Sequence, residues 1–180
     1  MARRNLRNLD ERILKKVVHY GAERGLSHVS TKKIAIDLKI TEPTIYVHFS
    51  TKVNLLYEAY LYAFSKIYKE IAGDPRGYME GKLSDFLKKA AENPEAAAYI
   101  EGYRNYLKTI FDETHPDPML KLAKDYIASF GKNSDWILPV LADAFTSFAM
   151  LAARGTINPA DPCVDRLGIA LREGLLSVLD

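Results

Sequence analysis

Between Thr31 and Lys52 the sequence reads TKKIAIDLKITEPTIYVHFSTK, and its side chains suit binding a polyanion better than turning over a substrate. Helical spacing turns Ile34, Ala35, Leu38, Ile40 and Ile45 inward and leaves Thr31, Lys32, Lys33, Glu42, Pro43, Thr44, Tyr46, Val47 and His48 on one surface. Threonine, tyrosine and histidine donate to phosphate oxygens, and lysine neutralises them. Pro43 or Val47 can sit against a thymine methyl, and Glu42 can accept from a cytosine amino group. Catalytic chemistry has no comparable signature. The four histidines (His19, His28, His48, His115) have no metal-ligand spacing, no glycine-rich phosphate loop occurs, and Cys163 stands in no motif. We therefore expect no catalytic residues, no metal and no cofactor.

Two short helices must position those side chains. One runs from about Thr31 to Leu38 after a cap at Ser30 or Thr31. The turn Lys39-Ile40-Thr41 follows, and a second helix spans 42–49 with Thr41 as N-cap. Pro43 falls in that helix's first turn, where its missing N–H is no loss. Ahead of them, NLDERILKKVVHYGAERG places Leu9, Ile13, Val17, Tyr20 and Ala22 near one side, with Asn8 as a start signal, Glu11 at the capping-box position and Gly25 as the stop. Charge follows the same division. Residues 1–60 hold 11 Lys/Arg against 6 Asp/Glu and the remainder 14 against 17, so the overall charge of +2 hides a basic first third. The basic arm Arg3, Arg4 and Arg7 is a further candidate for phosphate or groove contact.

The stretch ILKKVVHYGAERGLSHVSTKKIAIDLKITEPTIYVHFSTKVNLLYEAY (13–60) resembles the N-terminal DNA-binding domain of the tetracycline-repressor (TetR) family. AERGL, STKKIA and TIYVHFSTKVNLL stand at that domain's spacing. The resemblance implies an Ω-shaped homodimer, a helical effector domain, and repression relieved by a small ligand. Carried over by position, it puts Thr31, Thr44, Tyr46, His48 and Lys52 on the phosphate backbone, and Lys32, Glu42, Pro43 and Val47 near the bases. Family members usually carry glycine in the turn where this chain has Lys39, which must then accept a positive φ or force the turn to adjust.

The rest of the chain has helical period and no strand-like alternation, so the fold class is all-α, with about nine helices. Ser50 or Thr51 caps a long helix over 52–72. GDPRGYMEG (73–81) reads as punctuation, and five further helices are expected near 82–92, 95–113, 117–131, 135–154 and 162–179. We expect a helix-turn-helix domain over 1–52 and an effector-binding and dimerisation domain over 53–180, joined by the 52–72 helix.

In the last two helices, Ile137, Leu141, Ala144, Phe148 and Leu151, and Val164, Leu167, Leu171, Gly174 and Val178, recur at alternating steps of three and four. With the small Gly168 and Gly174, these seams suit a homodimer interface, and paired recognition helices would read two half-sites of a double-stranded DNA operator. The middle helices hold many aromatics, Tyr78, Met79, Phe111 and Trp136 among the large side chains. Phe86, Tyr99, Tyr103, Tyr106, Met119, Tyr126, Phe130 and Phe145 are the candidates to line a pocket for a small, largely apolar or aromatic ligand. Arg104, Glu101 and His115 could orient a polar group of it.

No apolar run of membrane-spanning length and no signal-peptide pattern is read from the sequence, and a single cysteine allows no internal disulfide; together these lead to an expectation of a reducing, cytoplasmic setting. Three rival readings stand beside the regulator: a thiol redox sensor acting through Cys163, a helical enzyme without a recognisable motif, and a DNA-binding protein with no ligand.

Overall fold

The N-caps read from the sequence do start helices. Ser30 Oγ accepts from the Lys33 amide, Thr41 Oγ1 from Thr44 and Thr51 Oγ1 from Asn54, each taking one of the donors that a helix's first turn leaves unpaired. The computed structural model describes residues 2–106 and 114–179, the side chains of 2–7 and 78–80 excepted. Among these it has ten α-helices and no strand: α1 (Ala2–Arg24), α2 (Thr31–Leu38), α3 (Glu42–Phe49), α4 (Lys52–Tyr68), α5 (Pro75–Gly81), α6 (Leu83–Glu92), α7 (Pro94–Tyr106), α8 (Pro118–Ala128), α9 (Leu138–Ala153) and α10 (Cys163–Leu179).

Several expectations need correction. Asn8 does not cap α1, which continues to Ala2, so neither Asn8 nor Glu11 forms a capping box. The backbone of Arg3, Arg4 and Arg7 is therefore helical, while their side chains lie outside the described residues. The stretch 73–81 is not simply punctuation, because Pro75 starts α5, which packs against α6 and α10. The side chains of Tyr78 and Met79, and all of Phe111, lie outside the described residues. Finally, 135–153 is long and apolar enough to cross a membrane, with a mean hydropathy of 1.6. It lies instead against α6, α7 and α8, burying Ala142, Phe145, Ala149, Met150 and Ala152, as a core helix does.

One apolar core runs from Ile13 in α1 through Ile45, Leu55 and Tyr99 to Val164, so the helix-turn-helix and the bundle share it. The junction is tight at Gly21. A methyl there would come within 2.5 Å of the Tyr99 ring, which cannot readily move because it is buried and its hydroxyl donates to the Leu56 carbonyl at 3.0 Å. The aromatic side chains of the middle helices fill this core by stacking. Tyr60 and Tyr103 lie 4.5 Å apart and nearly parallel, and Tyr68 donates to the Phe145 carbonyl. Burial pushes the phenols of Tyr60, Tyr68 and Tyr99 well above the ordinary tyrosine range, so all three stay neutral donors.

A polar knot is set into the apolar centre. Asp117, only 6% exposed, accepts from the Tyr60 hydroxyl at 2.6 Å, from Arg104 Nε at 3.1 Å, and from the Met119 amide at the start of α8. Arg104, 7% exposed, also donates to Thr146 Oγ1 at 2.8 Å and meets Asp143 at 3.0 Å. Four helices, α4, α7, α8 and α9, are thus joined through one ion pair. Removing one partner leaves the other charged and buried, so Asp117→Ala should lower unfolding free energy by about 3–5 kcal/mol. Urea denaturation checks this, and a loss below about 1 kcal/mol would show that the knot is solvated.

Candidate nucleic-acid interface

α2 and α3 are each eight residues, too short to persist alone, and burial on α1 and α4 holds them. Ile34, Ala35, Leu38, Ile45 and Phe49 are buried, and Ile40 is half-buried in the turn. Tyr20 of α1 adds a polar tie, donating to Asp37 of α2. That bond holds the Asp37 carboxyl below its usual range and raises the tyrosine. Lys39 takes the left-handed conformation directly, with φ 56° and ψ 44°, so the turn keeps its shape without glycine. Its amide bonds to Ile36, and the Ile40 amide reaches back to Ala35, satisfying the last carbonyls of α2. A second left-handed residue, Ser50 (φ 60°), closes a tight γ-turn in which the Thr51 amide meets the Phe49 carbonyl at 2.6 Å.

The outer face carries most of the expected side chains, though not all are free. Val47 is 82% exposed, and Lys32, Pro43 and Lys52 are exposed too. Thr44 is half-buried, its hydroxyl 2.8 Å from that of its own N-cap, Thr41. Lys33 lies over the Tyr20 ring at 4.3 Å, a cation–π contact that draws it toward α1. Thr31 departs most from expectation. It is only 7% exposed; its hydroxyl donates to Glu42 and lies 3.4 Å from that of Tyr46. The first residues of α2 and α3 thereby bond to each other, because the left-handed turn brings the two helix starts together. His48 is also inward of its expected place, with Nδ1 2.5 Å from Asp10 Oδ1 on α1.

Residues 14–59 match the family of bacterial regulatory proteins described as the tetR family. That match covers the N-terminal segment, which is a tetR-family DNA-binding domain. The protein is accordingly a DNA-binding transcriptional regulator with a helix-turn-helix at its N-terminus. The crystal structure of a TetR-like transcriptional regulator from Rhodococcus sp. RHA1 superposes on it with a TM-score of 0.57. That likeness extends over 92% of this chain and 94% of the other at 19% identity, and it is one of fold. No curated protein matches the chain.

Most of the residues expected to line a ligand pocket come together in the core of the bundle. Phe86, Tyr99, Tyr103, Met119, Tyr126 and Phe145 are all buried, Tyr126 against Phe130 and Phe145, whereas Tyr106 is half exposed. Arg104 is committed to the buried knot, Glu101 pairs with Arg154, and His115 bonds Asn54.

Along the expected dimer seams, Leu151, Leu167, Leu171 and Val178 are exposed, and Leu141, Ala144 and Phe148 are partly buried. Gly174 has open space around it. Ile137 and Val164 are instead buried within the chain and offer nothing to a partner. For Val164 the cause is its neighbour: Asp165 accepts from both the amide and the hydroxyl of Ser84, drawing the start of α10 onto α6. Cys163 is exposed, with an Arg166 nitrogen 3.0 Å from its sulfur.

Sequence reasoning missed Ile36 and Asp10. Ile36 is 67% exposed on α2, an apolar side chain on the face that carries Lys32. Asp10 lies 38 positions before His48 in the chain, and no local pattern pairs them. Lys39→Gly should raise stability by about 0.5–1 kcal/mol, since relief of left-handed strain outweighs the added freedom of the unfolded chain. Thermal melts read this, and destabilisation would mean that the lysine side chain stabilises the turn by more than its backbone strain costs.

Proposed function

We propose that the regulator is a homodimeric repressor whose two α3 helices enter successive major grooves of a roughly palindromic operator, and which a small ligand releases. The observation that carries this reading is the exposed face of Lys32 on α2, Pro43 and Val47 on α3 and Lys52 at the start of α4, on helices that are capped at Ser30, Thr41 and Thr51. Thr44, Tyr46, His48 and Lys52 hold phosphates, while Lys32, Pro43 and Val47 face base edges. Glu42 receives the Thr31 hydroxyl, and the pair orients the start of α3 as well as facing the groove.

Dimerisation rests on exposed apolar side chains, Leu151 of α9 and Leu167, Leu171 and Val178 of α10. A ligand entering among the middle helices must part stacked aromatics, and it shifts the equilibrium only by its preference for the parted state. The same stacking favours a second reading, a regulator with no ligand. Calorimetric titration with small aromatic compounds separates the two, since heat and a raised melting temperature support the first and neither supports the second.

Fluorescence anisotropy with duplex DNA from upstream of the protein's own gene, in excess competitor, tests operator binding. Lys52→Ala should weaken binding to every sequence and lower the salt slope by about one per subunit. Lys32→Ala and Val47→Ala should instead change which bases are preferred, by about 1–3 kcal/mol at the contacted position for a lost lysine–base contact. Equal losses on all sequences for both groups would overturn the division of roles. Leu171→Glu should give a monomer by analytical ultracentrifugation and lose operator affinity, whereas an intact dimer would place the interface elsewhere.

A further inference from the structure

We infer that Lys16, Arg24 and Lys33, gathered around the ring of Tyr20, form a second patch that holds the DNA backbone beside the recognition helix. The inference rests on the reading that α3 enters the groove with Lys32 and Lys52 on the duplex. It adds two cations of α1, Lys16 and Arg24, that no local pattern connects to α2.

Three cations share one aromatic ring. Lys33 Nζ lies 4.3 Å from the Tyr20 centroid, Lys16 Nζ 5.9 Å and the central carbon of the Arg24 guanidinium 6.0 Å. The ring is buried where α1 meets α2, so it is a fixed platform. Its face attracts each cation, yet it does not remove the repulsion among them.

Two carboxylates stand nearby. Asp37 accepts from the Tyr20 hydroxyl and lies 3.7 Å from Lys16, while Glu23 meets Arg24 at 3.1 Å. The Tyr20 bond, with Lys16 and Lys33 behind it, holds the Asp37 carboxyl below its usual range. Three cations against two carboxylates leave the cluster positive, and the adjacent, exposed Lys32 adds to it. Both ion pairs reach solvent, with Arg24 52% and Lys16 39% exposed. Exposed pairs bind their partners weakly, so each cation is able to turn to a phosphate.

Placement beside α3 follows from the two flanks of α2. Thr31 ties one flank to α3 through Glu42, Lys33 ties the other to α1 through Tyr20, and Lys32 stands exposed between them. The cationic face therefore continues from α2 onto α1. Further along that seam, Lys16 borders a cleft of about 430 Å³ with Arg12 and Lys15, where His19 is bonded to Glu95. A duplex whose groove receives α3 presents its sugar–phosphate wall to the flanks of that helix, and contacts there position the protein without reading sequence. Tyr20 does not touch DNA; it is a positioning residue that gathers the cations that do.

The experiment is fluorescence anisotropy of a labelled duplex of arbitrary sequence, titrated at several salt concentrations between about 50 and 200 mM. It compares the full-length protein with Lys16→Gln, Arg24→Gln, Lys33→Gln and Lys124→Gln, each confirmed as folded by circular dichroism. Lys124 is an exposed cation of α8, so its loss changes net charge equally but lies outside the patch.

The logarithm of affinity falls linearly with the logarithm of salt, at a slope set by the phosphates neutralised. Each patch variant should lower that slope by about 0.9 per subunit, so the affinity lost over this range shrinks about 3.5-fold per subunit. Lys124→Gln should keep the wild-type slope. Wild-type slopes in both Lys16→Gln and Arg24→Gln would overturn the inference while leaving DNA binding by α3 intact. Equal reductions in all four variants would overturn it too, because they would report net charge and not contact. A folded wild type that binds no duplex at the lowest salt would overturn the functional reading itself, and this inference with it.

Discussion

The buried carboxylate of Asp117 is the constraint around which the bundle closes. A charge that far from water is tolerated only when each lone pair is met, and here a phenol from α4, a guanidinium from α7 and the first free amide of α8 meet it. Arg104 then has donors left over, and Thr146 and Asp143 of α9 take them. The angles among four helices follow from satisfying one ion pair. Apolar contacts supply most of the burial energy, but they tolerate small slides that the knot does not.

The helix-turn-helix is joined to that bundle by close contact rather than by a flexible tether. α1 carries Gly21 against the Tyr99 ring of α7, and the same tyrosine bonds the backbone of α4 through the Leu56 carbonyl. Tyr57 of α4 in turn donates to the Pro116 carbonyl, next to Asp117. Any rearrangement of the middle helices therefore meets the helices that support α3 through stiff aromatic contacts. Such contacts are the kind that switch between discrete packings instead of deforming gradually.

At the other end of the molecule, α3 shows how little a short recognition helix owes to its own propensity. Thr44, Ile45 and Val47 are β-branched, yet the segment is helical because Thr41 and Pro43 start it and Ile45 and Phe49 are buried beneath it. Left-handed residues at Lys39 and Ser50 bracket the turn and the helix that follows it. Both sites tolerate strain because packing on each side over-determines them, and the outcome is a fixed direction for the exposed face.

The sequence by itself determined what depends on neighbours along the chain. The bounds of α2 and α3, the caps at Ser30, Thr41 and Thr51, the all-α class and the inward set Ile34, Ala35, Leu38 and Ile45 were legible because capping and helical period act over three or four residues. A start at Asn8 was misread because a capping side chain is a permission to begin and not a barrier to continuing. α5 was missed because glycines at both ends of a short segment look like a loop when its partners α6 and α10 are out of view. What only the tertiary structure decided are relations between residues distant in sequence. These include the burial of Thr31 behind Glu42, the stacking of Tyr60 on Tyr103 in the core, the withdrawal of Val164 by the Ser84–Asp165 bonds, and the pairing of Asp10 with His48. Each depends on how helices pack in three dimensions, and hydrophobic period names the buried face of a helix without naming what will lie against it.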